Sequence, residues 1–388
     1  MIFWILLFPY LTAALLAARK KKFNFVLACL VGCALNVSFW HGTKALAENV
    51  AVTDTEYWNG YITRAAYFEE WDERVSCRHP IYRTESYECG SGNSPMTCTR
   101  SVYVGDEHAY DVDNHPEHWE AEDSIGTVYK IEQTYFEFLC KQFKNRTFQE
   151  LNRRYHSIDG DSYLTNYNNE WADMVPTSVE KKYENRVAAS NSIFNYKKVD
   201  PLKLKLYEYP ENKQGFVYHS VLSFARLPDQ EQIDKVNAYW GSSKKIRIWV
   251  LVFQNRPIQT AFDQEALWKN GNKNELVITF SIDNAKDRNI QWCKVFSWSK
   301  SEELKSEINS NFTNKPLDFM ELTRYLNVAV PEKWEKRDWK DFDYLPIDLP
   351  MWFYVLNVFL FIGGYVGTLF GGAAWEESST PKRPTYFR

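Results

Sequence analysis

The 388-residue chain is close to charge balance, since 46 Lys and Arg residues face 50 Asp and Glu residues and the formal net charge is −4. The basic residues form no stripe and no long polybasic tail, which argues against a nucleic-acid-binding surface. Three uncharged apolar stretches, residues 2–18, 23–40 and 351–375, instead favour a membrane protein. The last is long enough to cross a hydrocarbon core of about 30 Å at about 1.5 Å per residue.

Basic residues at both ends of the chain predict its orientation. Residues 19–22 are Arg-Lys-Lys-Lys and connect the first two apolar stretches, and the tail 376–388 carries Lys382, Arg383 and Arg388. The positive-inside rule places both in the cytoplasm. We therefore expect an integral membrane protein with three transmembrane helices, whose large domain lies on the periplasmic or extracellular side.

A cleaved secretory signal is the alternative for the N-terminus. Residues 20–22 would be its basic region, 23–39 its apolar stretch and Ala45-Leu46-Ala47 its cleavage site. The apolar stretch 2–18 argues against this alternative, because signals rarely have a second hydrophobic segment in front of them. Both interpretations leave the central domain outside.

The outer region, roughly 310 residues, is large for one core and predicts two subdomains. Residues 41–187 favour a β-rich subdomain with a helical extension. Its predicted elements are strands at 57–67, 74–84 and 99–104, helices at 127–144 and 148–154, an irregular connection at 159–183 and the start of a helix at 180–186. We expect strands from about residue 45 onwards.

Residues 188–345 alternate between helical and strand patterns, which is typical of an α/β layer fold. Gly241 is expected to end the first helix as its C′ residue. The expected elements are helices at 230–240, 260–270 and 301–309 and strands at 244–253, 274–282 and 290–296. The predicted class is therefore an α+β membrane protein with a β-rich and an α/β subdomain outside three transmembrane helices.

The order of elements over about 227–310 resembles the TPM domain, an extracytoplasmic α/β domain found beside membrane helices in bacteria and in thylakoids. The residues that carry the resemblance are Trp268, Gly271, Asn274, the apolar strand 276–280 and Asp283. Glu275 stands where the family usually has glycine, and 295–298 replaces a glycine-rich stretch. The whole layout also resembles uncharacterised membrane proteins of large tailed bacteriophages.

The resemblance implies a fold more firmly than an activity, because some relatives are associated with phosphatase activity and others with maintenance of membrane complexes. It would place an acidic site at the carboxyl ends of the strands, with Asp283, Asp287 and Asp263 as metal ligands or a general base. A turn at Asp283-Asn284 is the favoured alternative, since both residue types commonly follow strands.

The outer cysteines predict one disulfide bond. Cys89 and Cys98 flank a turn signal at 90–95 between two alternating stretches, so a hairpin would bring them together in an oxidising compartment. Cys77 with Cys140 is a weaker pairing. Cys293 is left over, and we expect it to be a buried structural residue with Lys294 on the opposite face of its strand.

Histidines and carboxylates crowd residues 106–123 and offer ligands for zinc or manganese. The candidate metal ligands are His108, His115 and His118, with Asp283 as a separate candidate. Pairing of the predicted strands would also bring Cys77 and His79 close to this segment. Pro116 disfavours a helix through this segment, and no HExxH motif is present, so a solvated acidic loop without a cofactor is the favoured interpretation.

The last apolar stretch carries Gly363, Gly367 and Gly371 four residues apart, a spacing that lets helix backbones approach closely. The partner would be the other helices of the chain, where Ala28, Gly32 and Cys33 offer small side chains, or a second copy in a homo-oligomer. The apolar stretches hold no charged residue, which argues against transport.

The sequence has no GxSxG elbow, P-loop, Rossmann glycine pattern or CxxC pair. It therefore favours a non-enzymatic, membrane-anchored interaction or assembly protein that binds an envelope protein. The alternative is a metal-assisted, phosphatase-like hydrolase on the α/β subdomain. Acidic residues converging on one ion would favour the hydrolase, and a face of exposed aromatic residues would favour the interaction protein.

Overall fold

The computed structural model of the chain describes residues 2–89, 97–151, 158, 160–190, 198–210 and 219–379. The helices are α1 (Ile2–Arg19), α2 (Phe23–Val52), α3 (Gln133–Phe143), α4 (Arg186–Ala189), α5 (Pro201–Leu204), α6 (Gln232–Lys244), α7 (Gln259–Leu267), α8 (Glu302–Phe312), α9 (Phe319–Lys333) and α10 (Met351–Ser379). Short 3-10 helices cover Trp171–Asp173 and Trp339–Phe342.

The strands fall into two larger sheets and two separate strand pairs. They are β1 (Thr53–Phe68), β2 (Trp71–Val75), β3 (Pro80–Glu88), β4 (Thr97–Asp106), β5 (Asp111–His115), β6 (His118–Asp123), β7 (Val128–Ile131), β8 (Thr147–Gln149), β9 (Ser162–Asn166), β10 (Pro176–Glu184), β11 (Val221–Ser223), β12 (Arg247–Gln254), β13 (Glu275–Ile282) and β14 (Ile290–Phe296). The protein thus has a mixed α+β fold with a β-rich body and apolar helices near both ends.

Two helices, α2 and α10, are long and apolar enough to cross a membrane, with 30 and 29 residues. Only 17% of the residues in the most apolar window of each helix are buried. Such exposure is costly in water and suits contact with lipid. The described apolar part of α1 is shorter, so the third predicted transmembrane helix stays a prediction.

Helices α1, α2 and α10 pack together through polar and aromatic contacts. Asn36 of α2 donates to the hydroxyl of Tyr10 in α1 at 2.6 Å, and that hydroxyl lies 3.3 Å from the Phe361 carbonyl of α10. The amide of Phe25, at the start of α2, donates to Glu376 near the end of α10. Since α2 and α10 run in opposite directions, the basic turn between α1 and α2 lies at the same end of the bundle as the end of α10.

Helix α2 does not end with the apolar stretch at residue 40 but continues to Val52, so the predicted strand start near residue 45 is wrong. Helical hydrogen bonding persists because Ala45, Leu46 and Ala47 are good helix formers. Strand β1 follows without a loop, and the Asn185 amide donates to the Val52 carbonyl at 2.6 Å. The apolar helix is therefore joined directly to the centre of the body.

The first sheet has the order β7-β6-β1-β9-β8, with β10 paired to the first half of β1. Its apolar face packs against α3. The core there consists of Ile62, Ala65, Ala121, Phe136, Leu139, Phe143 and Val175. Three predictions fail here. The predicted helix at 148–154 begins instead within strand β8, and its residues 152–154 lie outside the described residues. The predicted irregular connection at 159–183 contains β9 and most of β10, and the predicted helix start at 180–186 is strand as far as residue 184.

These failures have one physical reason. Strands β9 and β10 pair antiparallel with β1, which lies about a hundred residues earlier, and β8 in turn pairs with β9. Such pairing overrides weak local patterns. The predicted helix at 127–144 is partly confirmed by α3, although 128–131 forms strand β7.

The second sheet has the order β11-β12-β13-β14, with three parallel strands and an antiparallel β14. Helices α6, α8 and α9 cover one face, and α7 with the segment 199–209 covers the other. Seven of the eight residues of β12 and all eight of β13 are buried, as expected for central parallel strands. Helices therefore cover a sheet in this part of the body, as the sequence predicts.

Gly241 lies inside α6 and does not end it, which corrects the expected C′ role. The helix continues to Lys244, and Lys245 takes the left-handed conformation with φ 52°. A Cβ atom at Gly241 would lie 2.5 Å from the carbonyl oxygen of Asn59 in β1. Glycine is therefore what lets α6 cross β1 and bring the two sheets into contact.

Candidate functional site

A projecting arm, defined here as residues 71–115, leaves the first sheet between β1 and β6. Its base segment pairs β2 with β5, from Trp71 opposite His115 to Val75 opposite Asp111. Its tip segment pairs β3 with β4. Two connections, residues 76–79 and 107–110, join the base segment to the tip segment and form the joint of the arm.

The tip segment exposes apolar side chains on its strands. No residue of β3 or β4 is buried. The large exposed side chains are Ile81, Tyr82, Tyr87, Tyr103 and Val104, which are 46–61% exposed. A two-stranded hairpin without a core behind it is marginally stable by itself in water, and its strand edges are open for pairing. The described strands of the tip segment therefore keep five large apolar side chains in contact with solvent.

A disulfide bond closes the end of the tip segment. Cys89 and Cys98 are linked, with their Cα atoms 5.8 Å apart, which confirms the predicted bond. The turn between them lies outside the described residues. The weaker pairing of Cys77 with Cys140 is not formed, and both are free thiols.

Four side chains with metal-binding atoms meet at the joint: Cys77, His79, His108 and Asp111. One ligand atom from each lies within 4.8 Å of all the others. His79 Nδ1 is 3.4 Å from Asp111 Oδ1, and His108 Nε2 contacts the same oxygen. The contact with His108 and the backbone amide of Arg78 hold the pKa of Asp111 below its usual range. Over the described residues, this is the one group of three or more such side chains at that spacing.

Of the four predicted metal ligands, only His108 belongs to this group. His115 stacks on Trp71 at 4.1 Å between ring centroids, and His118 stacks on Phe68 at 5.0 Å. Asp283 follows β13 in the other sheet. The structure thus brings His108 together with Asp111 of the same segment and with Cys77 and His79, which strand pairing was expected to bring near. His115 and His118 have aromatic partners instead.

The carboxylates proposed for the ends of the parallel strands have local partners. Asp283 accepts bonds from the Asn289 amide nitrogen at 2.9 Å and its side chain at 2.8 Å, and these bonds lower its pKa. Asp287 accepts from Asn284 at 3.2 Å within the same turn. Asp263 accepts from Gln259 of its own helix at 3.3 Å. These contacts agree with the turn interpretation of Asp283.

Cys293 is a buried structural residue, as expected, and its burial raises the pKa of its thiol. Lys294, on the opposite face of β14, donates to Glu265 at 2.6 Å. A thiol kept protonated in this way is a poor nucleophile.

The glycines of α10 divide into two faces. A Cβ atom at Gly363, Gly367 or Gly371 would meet nothing within 4 Å. At Gly364 it would lie 2.7 Å from Asn36, and at Gly372 it would lie 3.1 Å from Ala28. Packing within the chain therefore uses the Gly364 and Gly372 face, and contact of the predicted glycine stripe with a second copy stays a prediction.

Sequence reasoning gave no role to Glu275, which is fully buried at the start of β13. Its carboxylate accepts bonds from the Trp249 indole at 2.9 Å, the Asn272 amide at 2.7 Å and the Tyr209 hydroxyl. Burial raises the pKa of this carboxyl group. The available signal was a charged residue at the head of an apolar strand, at the position where the TPM pattern has glycine.

In comparisons with known proteins, no family model, curated protein or solved structure matches the chain. The geometry of the arm, the joint and the apolar helices therefore carries the functional argument.

Proposed function

We propose that this protein is a membrane-anchored interaction or assembly protein whose body binds a protein partner through the tip segment of the arm. The observation that carries the proposal is the exposure of five large apolar side chains on a two-stranded hairpin that has no buried residue. Tyrosine-rich apolar surfaces of this kind are typical of protein interfaces.

Anchoring rests on the three apolar helices α1, α2 and α10, with α1 as the third transmembrane segment. The basic turn 19–22 lies beside the C-terminal end of α10. The body is connected to the other end of the bundle, where α2 ends and α10 begins. The positive-inside rule then places the basic turn in the cytoplasm and the body on the periplasmic or extracellular side. A disulfide bond in the arm fits that oxidising side.

Binding by strand addition suits the tip segment. Both β3 and β4 are edge strands, since among the described strands each pairs only with the other. An extended segment of a partner could continue the ribbon by backbone hydrogen bonds, with tyrosine side chains setting the selectivity. The direct path from α2 through β1 to the arm would hold this surface at a fixed position above the membrane.

The hydrolase alternative has weaker support. Its carboxylates, Asp263, Asp283 and Asp287, are engaged in separate local contacts. The resemblance to the TPM domain contributes one expectation to the proposal. It implies that the second sheet and its helices form an extracytoplasmic α/β domain beside membrane helices.

The test replaces residues 72–114 by an Asn-Gly turn, which leaves the Trp71–His115 pair to close a short hairpin. Detergent-solubilised native membranes are then compared by native electrophoresis. We expect the full-length protein to migrate in a complex from which the variant is missing. Equal migration of both proteins, with the same melting temperature for the body, would contradict binding through the arm.

A further inference from the structure

We propose that Cys77, His79, His108 and Asp111 form a binding site for one zinc ion at the joint of the arm. This inference rests on the joint alone and does not depend on the partner or on the membrane orientation. The site differs from the ligand set that the sequence suggested, because Cys77 and His79 take the place of His115 and His118, and Asp111 joins His108.

The donor set suits zinc. Two imidazole nitrogens, one thiolate and one carboxylate oxygen are ligands that Zn²⁺ takes in tetrahedral sites, whereas Mg²⁺ and Ca²⁺ require oxygen ligands. Zinc bonds of about 2.0–2.3 Å place tetrahedral ligand atoms about 3.3–3.8 Å apart. The pair of His79 Nδ1 and Asp111 Oδ1, 3.4 Å apart, already has this spacing. The widest separations, at most 4.8 Å, must shorten by about 1 Å, and the close contact of His108 with Asp111 must lengthen.

The surroundings of Asp111 orient it toward the site. Its Oδ2 atom accepts the backbone amide of Arg78 at 2.6 Å, which leaves Oδ1 facing both imidazole rings. Arg78 also pairs through its guanidinium with Asp113 of the same strand. Such bonds to a ligating carboxylate are typical of metal sites, where they fix the orientation of the ligand.

The alternative explanation for this cluster is that His79 and His108 only form surface contacts with Asp111 and bind no metal. Exposed ion pairs contribute little stability, and two histidines on one carboxylate gain less from the second contact than from the first. That explanation does not involve the half-buried thiol of Cys77, which is outside any disulfide bond and accepts the backbone amide of His79 at 3.4 Å. A metal ion gives all four side chains one role.

A bound ion would fix the angle between the two segments of the arm. Cys77 and His79 lie on the connection that enters the tip segment, and His108 lies on the connection that leaves it. The two connections already meet through the Glu107 amide, which donates to the His79 carbonyl at 3.0 Å. Coordination adds bonds across the same joint and thereby sets where the tip segment points.

The experiment uses the full-length protein in detergent with zinc, and with cobalt as a spectroscopic substitute. Zinc affinity is measured by competition with a chromogenic chelator, on the wild type and on Cys77→Ala, His79→Ala, His108→Ala and Asp111→Asn. His115→Ala and His118→Ala are the matched controls. His115 is the last residue of the arm and His118 is the first residue of β6, and neither belongs to the four-residue group. Melting temperatures confirm that each variant is folded.

We expect one zinc ion per chain, with the affinity lowered by more than about 100-fold in the four site variants, because loss of outer-shell partners alone costs about 10–100-fold. Cobalt should give a thiolate charge-transfer band that disappears in Cys77→Ala. Two results would overturn the proposal: no zinc bound by the folded wild type, or an equal loss of affinity in His115→Ala and His118→Ala.

Discussion

The contact between Gly241 and Asn59 makes a prediction whose sign is opposite to the usual rule for helices. Replacing an interior helical glycine by alanine normally stabilises a protein by about 0.5–1 kcal/mol. Gly241 lies in the last turns of α6, and its Cβ position is 2.5 Å from the Asn59 carbonyl oxygen and 2.7 Å from the Asn59 Cβ. We expect Gly241→Ala to destabilise the body.

The size of the effect follows from how far the two elements must separate. Ordinary contact begins near 3.4 Å, so α6 and β1 must move apart by about 0.9 Å. The bond from Arg247 to Asn59, now 2.6 Å, would then approach 3.5 Å, where a hydrogen bond is lost. Overpacking costs about 1–3 kcal/mol and a lost bond to a charged group about 1.5–3 kcal/mol. After the helix gain of about 0.5–1 kcal/mol is subtracted, the net cost is about 1.5–5.5 kcal/mol.

Thermal unfolding of the purified full-length protein, followed by tryptophan fluorescence, measures this effect. Ser243→Ala is the matched control, because Ser243 is exposed in the same helix and the change should stay within about 0.5 kcal/mol. We expect Gly241→Ala to lower the melting temperature by at least about 2 °C. A melting temperature equal to or above that of the wild type would refute the argument that glycine is required for the crossing of α6 over β1.

Three further predictions concern the buried carboxylate of Glu275, the glycines of α10 and the ion pair of His219. Glu275→Ala should destabilise the body by about 2–5 kcal/mol in chemical unfolding, since three donors lose their acceptor, two of them in buried hydrogen bonds. A change below about 1 kcal/mol would contradict the role of this carboxylate. Gly364→Leu should lower the melting temperature in detergent, because the new side chain would collide with α1 and α2. Gly367→Leu should leave it unchanged, and the opposite result would contradict the assignment of the Gly364 face of α10 to packing within the chain. The contact with Asp234 raises the pKa of His219 above its usual value of 6.5, so its stabilising contribution is complete below pH 6.5 and is lost as pH rises through the raised pKa. His219→Gln should remove that decline from a plot of melting temperature against pH, and an unchanged profile would exclude this ion pair as its cause.

The elements best predicted from sequence are those whose pattern is continuous and local. Strands β12 and β13 fall where the apolar runs 244–253 and 274–282 indicate, because a strand buried on both faces needs no polar alternation. Strands β9 and β10 were missed, since their pairing with β1 spans about a hundred residues and outweighs the turn-forming residues among them. The extension of α2 past residue 40 is not predicted, because the apolar pattern ends at residue 40 whereas the helix continues to Val52.

The joint was only partly predictable for a related reason. Local density of histidine and carboxylate drew attention to residues 106–123, and His108 does belong to the group. Cys77 and His79 come from about thirty residues earlier and reach His108 only through the registers of the two strand pairs. The disulfide bond was predictable because the turn that brings its two cysteines together is itself a local signal.

Binding through the arm is tested most directly by site-specific photo-cross-linking in the native membrane. A photoreactive phenylalanine derivative replaces Tyr82 or Tyr103 on the tip segment, and Tyr344 on the body, which is 71% exposed, is the matched control. We predict that both arm positions cross-link to the same discrete protein and that Tyr344 does not. Arm positions that give no more cross-linked product than Tyr344 would contradict the proposal that the arm is the binding surface.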